Sequence, residues 1–127
     1  MPRSIDLFVH APLDLGEMAA EITRLTGLPF AEAADRTRMV LDAGDTTAVL
    51  AEHDFIDDRD LLFSRYRYVL TATVASDRSI NDSPQAVLLR QVFSALKADQ
   101  RFPSLLVFDL QHLVERADAT TPQERAQ

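Results

Sequence analysis

The stretch that decides the fold reads SIDLFVH over residues 4–10 and LDLGEMAAEITRLTG over residues 13–27. In the first part Ile5, Leu7 and Val9 alternate with Asp6, Phe8 and His10, the two-residue period of a strand. Only Asp6 strongly interrupts its apolar character, so this strand belongs inside a sheet. Pro12 closes it. Asp14 then has the form of a helix cap, its carboxylate able to accept from the free backbone donors of the first turn. Glu17, three residues on, completes a D-x-x-E relative of the capping box. Leu15, Met18, Ile22 and Leu25 recur at spacings of three and four, one apolar stripe suited to lying on a sheet. Gly27 can supply the left-handed closing residue, and Pro29 prevents the helix from resuming.

Working outward, Phe30 and the alanine-rich stretch to Asp35 read as a linker. Two strands follow, Arg36 to Asp42 and Asp45 to His53. The turn Asp42-Ala43-Gly44-Asp45 has the composition of a short antiparallel hairpin connection. Asp54 to Asp60 forms an acidic loop. Arg65 to Ala75 is the longest strand, with Tyr66, Tyr68, Leu70, Ala72 and Val74 on one face and Arg65, Arg67, Val69, Thr71 and Thr73 on the other. Ser83 followed by Pro84 opens a second helix, since proline at the first helical position lacks only a donor that would be unpaired anyway. Leu89, Val92, Phe93 and Leu96 form its stripe, and it ends near Asp99. Ser104 to Leu110 reads as a buried strand and His112 to Arg116 as a short helical turn. The order β-α-β-β-β-α-β predicts an α+β, two-layer sandwich, a five-stranded mixed sheet with two helices on one face. The first and last strands, the most apolar, are expected at its centre. Residues 1–116 are expected to form one domain, and residues 117–127, which lack an apolar anchor, a flexible tail.

Composition narrows the function classes. At 127 residues, 46% apolar and 26% charged, the chain can build a core and does not resemble a disordered segment. The absence of cysteine excludes disulfides, thiolate metal sites and cysteine nucleophiles. A net charge of −7 argues against general affinity for nucleic acid or an anionic membrane, because both need a cationic surface. No apolar run reaches the roughly 20 residues of a membrane span, and the start MPRSIDLFVHA lacks the form of a signal peptide. A cytoplasmic location is the expectation.

The charge is unevenly spread. Between Asp42 and Asp60 lie seven acids, Asp42, Asp45, Glu52, Asp54, Asp57, Asp58 and Asp60, against one base, Arg59. That window carries −6 of the −7. Clustered carboxylates speed association with a basic partner and help to select it, so these seven residues are the candidate partner-binding site. His53-Asp54-x-x-Asp57-Asp58 has oxygen ligands dense enough to suggest a hard cation. However, the calcium-loop spacing fails at Ile56 and Leu62, and no glycine supplies its turn, so no metal site is expected. Gly16, Gly27 and Gly44 are too scattered for a phosphate-cradling loop, there is no G-x-S-x-G elbow, and no cofactor or catalytic set is expected. Asp6 and Asp109 could meet as buried carboxylates, but the preferred reading puts each at a strand edge or beside a nearby arginine. In Arg65-Tyr66-Arg67-Tyr68, alternation separates the arginines from the tyrosines. They therefore form no stacking platform for nucleic acid; the tyrosines are expected in the core and the arginines opposite the nearby acids.

The chain opens with SIDLFVHAPLDLGEMAAEI and closes with FPSLLVFDLQHLVER. In size, charge and layout over residues 4–116 it resembles the small immunity proteins of bacterial polymorphic-toxin systems. That resemblance implies a non-catalytic inhibitor that binds and neutralises a cognate toxin inside the producing cell. The basic partner would be the toxin domain, met by the acidic surface. The alternative is a small α+β enzyme or ligand-binding domain, with a site near His53 and Asp54 between sheet and helices.

Overall fold

A computed structural model describes residues 3–33, 37–44, 46–53, 57, 63–74, 83–108 and 112–117. The protein is α+β, with an open antiparallel sheet and two helices. The strands are β1 (Arg3–Val9), β2 (Phe30–Glu32), β3 (Arg38–Asp42), β4 (Thr47–Glu52), β5 (Tyr68–Val74), β6 (Ser104–Phe108) and β7 (His112–Ala117). The helices are α1 (Leu15–Thr26) and α2 (Pro84–Asp99). In space the strands lie in the order β2-β3-β4-β5-β1-β6-β7. Every neighbouring pair is antiparallel.

Local signals place the helices where the sequence does. Asp14 Oδ1 accepts from the Glu17 backbone N–H at 2.8 Å, and Glu17 Oε1 accepts from the Asp14 N–H at 3.0 Å. The capping box is thus complete, and Gly27 closes α1 at φ 77°. Ser83 caps α2 by accepting from the Ala86 N–H, with Pro84 at the first helical position. At its far end Gln100 takes the left-handed conformation at φ 64°.

Several expectations are corrected. Among the described residues the sheet has seven strands, not five, and every pairing is antiparallel, so it is not mixed. The supposed linker at Phe30 contributes β2, which pairs Phe30 with Leu41 and Glu32 with Met39. The supposed helical turn at His112 is β7, and its pairing with β6 shifts register between Leu106 and Val107. A bulge of this kind breaks the two-residue alternation by which a strand is read. Ala117, placed in the tail, pairs with Ser104 and belongs to the sheet; residues 118–127 lie outside the described residues. β1 does lie well inside the sheet, between β5 and β6.

The two sheet faces carry separate apolar clusters. Ile5, Leu7 and Val9 of β1, Leu50 of β4 and Leu70 of β5 pack with Met18 and Ile22 of α1 and with Leu89, Val92 and Leu96 of α2. These side chains are almost fully buried, and each contributes about 1.5–3 kcal/mol by leaving water. α1 lies along β2, β3 and β4, while α2 lies along β1, β5 and β6. On the opposite face Phe8, Val69, Leu105 and Val107 cluster with Phe63 and Tyr66. The strand register places Asp6 and Thr71 on this face as well. No described helix is long and apolar enough to cross a membrane.

Candidate functional site

The candidate acids do not form one surface. Asp42 ends β3 opposite Thr47, whereas Glu52 ends β4 beyond the Arg38–Ala51 pair, at the other end of the hairpin. Alternation also puts them on opposite faces, because Glu52 pairs with Tyr68, whose side chain joins the helix-side core. Asp42 instead serves its turn, accepting from the Gly44 N–H at 2.9 Å, where Gly44 has φ 90°. A left-handed backbone of this kind is costly for a residue with a Cβ.

Of the described candidate acids, Glu52 alone lines an open groove of about 530 Å³ at the end of β4. Glu52, His53, Ser64, Arg65 and Tyr66 line it, along with His10 and Arg67. Glu52 Oε1 accepts from Arg67 Nε at 2.8 Å, as expected for arginines that answer the nearby acids. Arg67 also reaches the Leu13 carbonyl at 3.0 Å, and the Tyr68 hydroxyl donates to the same oxygen. The loop before α1 is thereby tied to the start of β5. Asp57 Oδ1 accepts from the Ser64 backbone N–H at 2.8 Å. That hydrogen bond, with the nearby Arg65 charge, holds the Asp57 carboxyl below its ordinary pKa. Asp57 therefore stays ionised into acidic solution. Asp45, Asp54, Asp58 and Asp60 lie outside the described residues, as does Asp109.

Behind the groove sits a small aromatic assembly. The Phe63 ring stacks on Phe8 at 4.6 Å, and His53 meets the same ring edge-on at 4.9 Å and 81°. His53 Nε2 lies 2.5 Å from the Tyr66 carbonyl oxygen. A carbonyl only accepts, so Nε2 carries the proton. Tyr66, expected on the same face as Tyr68, packs instead with Phe8 on the opposite face. It precedes β5 and follows a short 3₁₀ turn, Phe63–Arg65, so strand alternation does not govern it.

His53 and Asp6 lie on the face away from the helices; Asp54, named with His53 for the alternative site, lies outside the described residues. Asp6 is buried and accepts from Ser4 Oγ at 2.7 Å and from Thr71 Oγ1 at 2.8 Å. Among the described residues no group of three His, Asp or Glu side chains could hold a metal ion. Sequence reasoning missed Phe63 and Ser64; the only local hint was an aromatic residue just after the acidic run. No family model matches the chain, and neither a curated protein nor a solved structure matches it significantly.

Proposed function

We propose that the protein is a non-catalytic, protein-binding inhibitor of the immunity type, which meets the basic surface of a toxin domain with the acidic segment following β4. The observation that carries this reading is the concentration of −6 of the −7 net charge between Asp42 and Asp60. Glu52 and Ser64 line one open groove, and Asp57 accepts from the Ser64 N–H; this favours a docking surface at that end of the sheet, apart from Asp42. Arg67 already answers Glu52, so the attraction rests chiefly on Asp57 and on the neighbouring acids 54, 58 and 60. Inhibition would come from covering the partner's cleft, with no turnover. Like-signed carboxylates steer a basic partner and raise its association rate, an effect that salt screens.

The test compares wild type with a Glu52→Gln, Asp57→Asn, Asp58→Asn variant. The first two substitutions keep an acceptor for Arg67 and Ser64, so charge changes while those hydrogen bonds persist. Both proteins are used to capture partners from the native host, and association is timed at several salt concentrations. A basic protein captured by wild type, whose association slows with salt and slows again in the variant, supports the reading. Equal rates and equal salt dependence for the two proteins would overturn it.

A further inference from the structure

His53 and Tyr66 bracket the acidic segment in sequence and touch in space. The same region holds two further ties, Asp57 to the Ser64 N–H and Phe63 stacked on Phe8. Phe8 belongs to β1 inside the sheet and is fully buried, so its ring is a fixed platform. His53 contributes two contacts of different kinds, a ring edge on Phe8 and an Nε2–H donated to the Tyr66 carbonyl. Tyr66 in turn donates its backbone N–H to the Phe63 carbonyl at 3.0 Å. The chain is thus cross-linked on both sides of residues 58–62, by Asp57 on the Ser64 N–H and by His53, Phe63 and Tyr66 around one buried ring.

We infer that His53 is a positioning residue: its hydrogen bond to Tyr66 clasps the base of the acidic segment and holds Ser64 at the groove, with Asp57 on the Ser64 N–H, in a fixed arrangement. The inference deepens the binding function proposed above and rests on it for its purpose, though not for its geometry. Joining the ends of a segment removes conformational freedom that a partner would otherwise have to remove on binding. A phenylalanine at position 53 keeps a ring edge for Phe8 but has no donor. A glutamine keeps a donor near the place of Nε2 but has no ring. Hydrogen bond and ring contact can therefore be separated.

The experiment needs no partner, so its failure is distinguishable from failure of the binding reading. Nitrogen-15 spectra of wild type report the imidazole tautomer, and amide exchange is followed at Ser64 and Tyr66 in wild type, His53→Phe and His53→Gln. The Nε2–H form is expected in wild type. Exchange at both amides should rise about tenfold in His53→Phe, the effect of losing one hydrogen bond of ordinary strength, and return toward wild type in His53→Gln. Leu7 and Leu70, within the sheet, should be unchanged. A proton on Nδ1 with Nε2 bare overturns the inference, even if His53→Phe fails to fold. So does wild-type exchange in His53→Phe, or equally fast exchange in both variants.

Discussion

Asp6 and Thr71 stand directly opposite each other in the β1–β5 ladder, and the Thr71 hydroxyl donates to the Asp6 carboxylate at 2.8 Å. Asp6 is buried on the face away from the helices, so each donor that reaches its carboxylate offsets part of the cost of taking it from water. Thr71→Val keeps shape and β-branching while removing the donor. It should cost about 1–2 kcal/mol in chemical denaturation. Thr73→Val, one exposed position along on the same face and opposite Ser4, should change stability by less than about 0.5 kcal/mol. Equal effects of the two would show that the hydrogen bond contributes nothing.

The ends of the two helices meet in an ion cluster. Glu21 Oε2 receives Arg24 at 2.9 Å and Arg101 at 2.6 Å, and Asp99 receives Arg101 at 2.5 Å. The Arg101 hydrogen bond, then that of Arg24, holds Glu21 below its ordinary pKa of 4.5. A carboxylate depressed on folding contributes stability that is present above its unfolded value and lost as pH falls through the folded one. Stability should therefore be insensitive to this group from neutral pH down to about 4.5 and should decline below that. Glu21→Gln should make the decline shallower in acid, as read from denaturant midpoints between pH 7 and pH 2. Arg101, raised above its ordinary value, stays charged throughout that range.

Tyr68 is fully buried, and its hydroxyl donates to the Leu13 carbonyl. Burial raises the phenol's pKa, outweighing the lowering effect of Arg67. A phenol raised on folding contributes stability that is present below the ordinary value of 10.0 and lost as pH rises through the folded one. Tyr68→Phe should cost about 0.5–1.5 kcal/mol near neutral pH, because Arg67 still serves the Leu13 oxygen. The variant should also lose the tyrosine titration that wild type delays into strong alkali, which ultraviolet absorbance reads directly.

Gln100 closes α2 with a left-handed backbone that its Cβ makes costly. Gln100→Gly should raise stability by about 0.5–1 kcal/mol, the opposite sign to most substitutions. A thermal melt that falls instead would show that the glutamine side chain outweighs the backbone cost.

Ser104 Oγ is buried and has no hydrogen-bond partner among the described residues. A buried hydroxyl without a partner is destabilising relative to an apolar group of similar size. Ser104→Ala is therefore expected to be neutral or stabilising by up to about 1 kcal/mol in denaturant unfolding. A loss above about 1 kcal/mol would indicate a partner for that oxygen.

Reading the chain without its fold located what is decided within one or two turns of backbone. The Asp14–Glu17 box, the Gly27 closure and the Ser83–Pro84 entry depend on neighbours three or four residues away, so their spelling is visible in the sequence. The β3–β4 hairpin was legible for the same reason. β2 escaped because three residues, two of them exposed, are too few to show a period, and β7 because a bulge shifts its pairing. Strand order depends on pairings between distant segments, such as Leu7 with both Leu70 and Leu106. Backbone hydrogen bonds are the same whatever the side chain, so no local signature announces them.

The candidate site divides along the same line. That the excess negative charge follows Asp42 was a property of composition and needed no coordinates. Tertiary structure alone turned His53 toward Phe8 and put Tyr66 across the sheet from Tyr68. Charge adds up along a chain irrespective of its path, whereas the position of each charged group depends on register, and register is chosen by the burial of side chains far away in sequence.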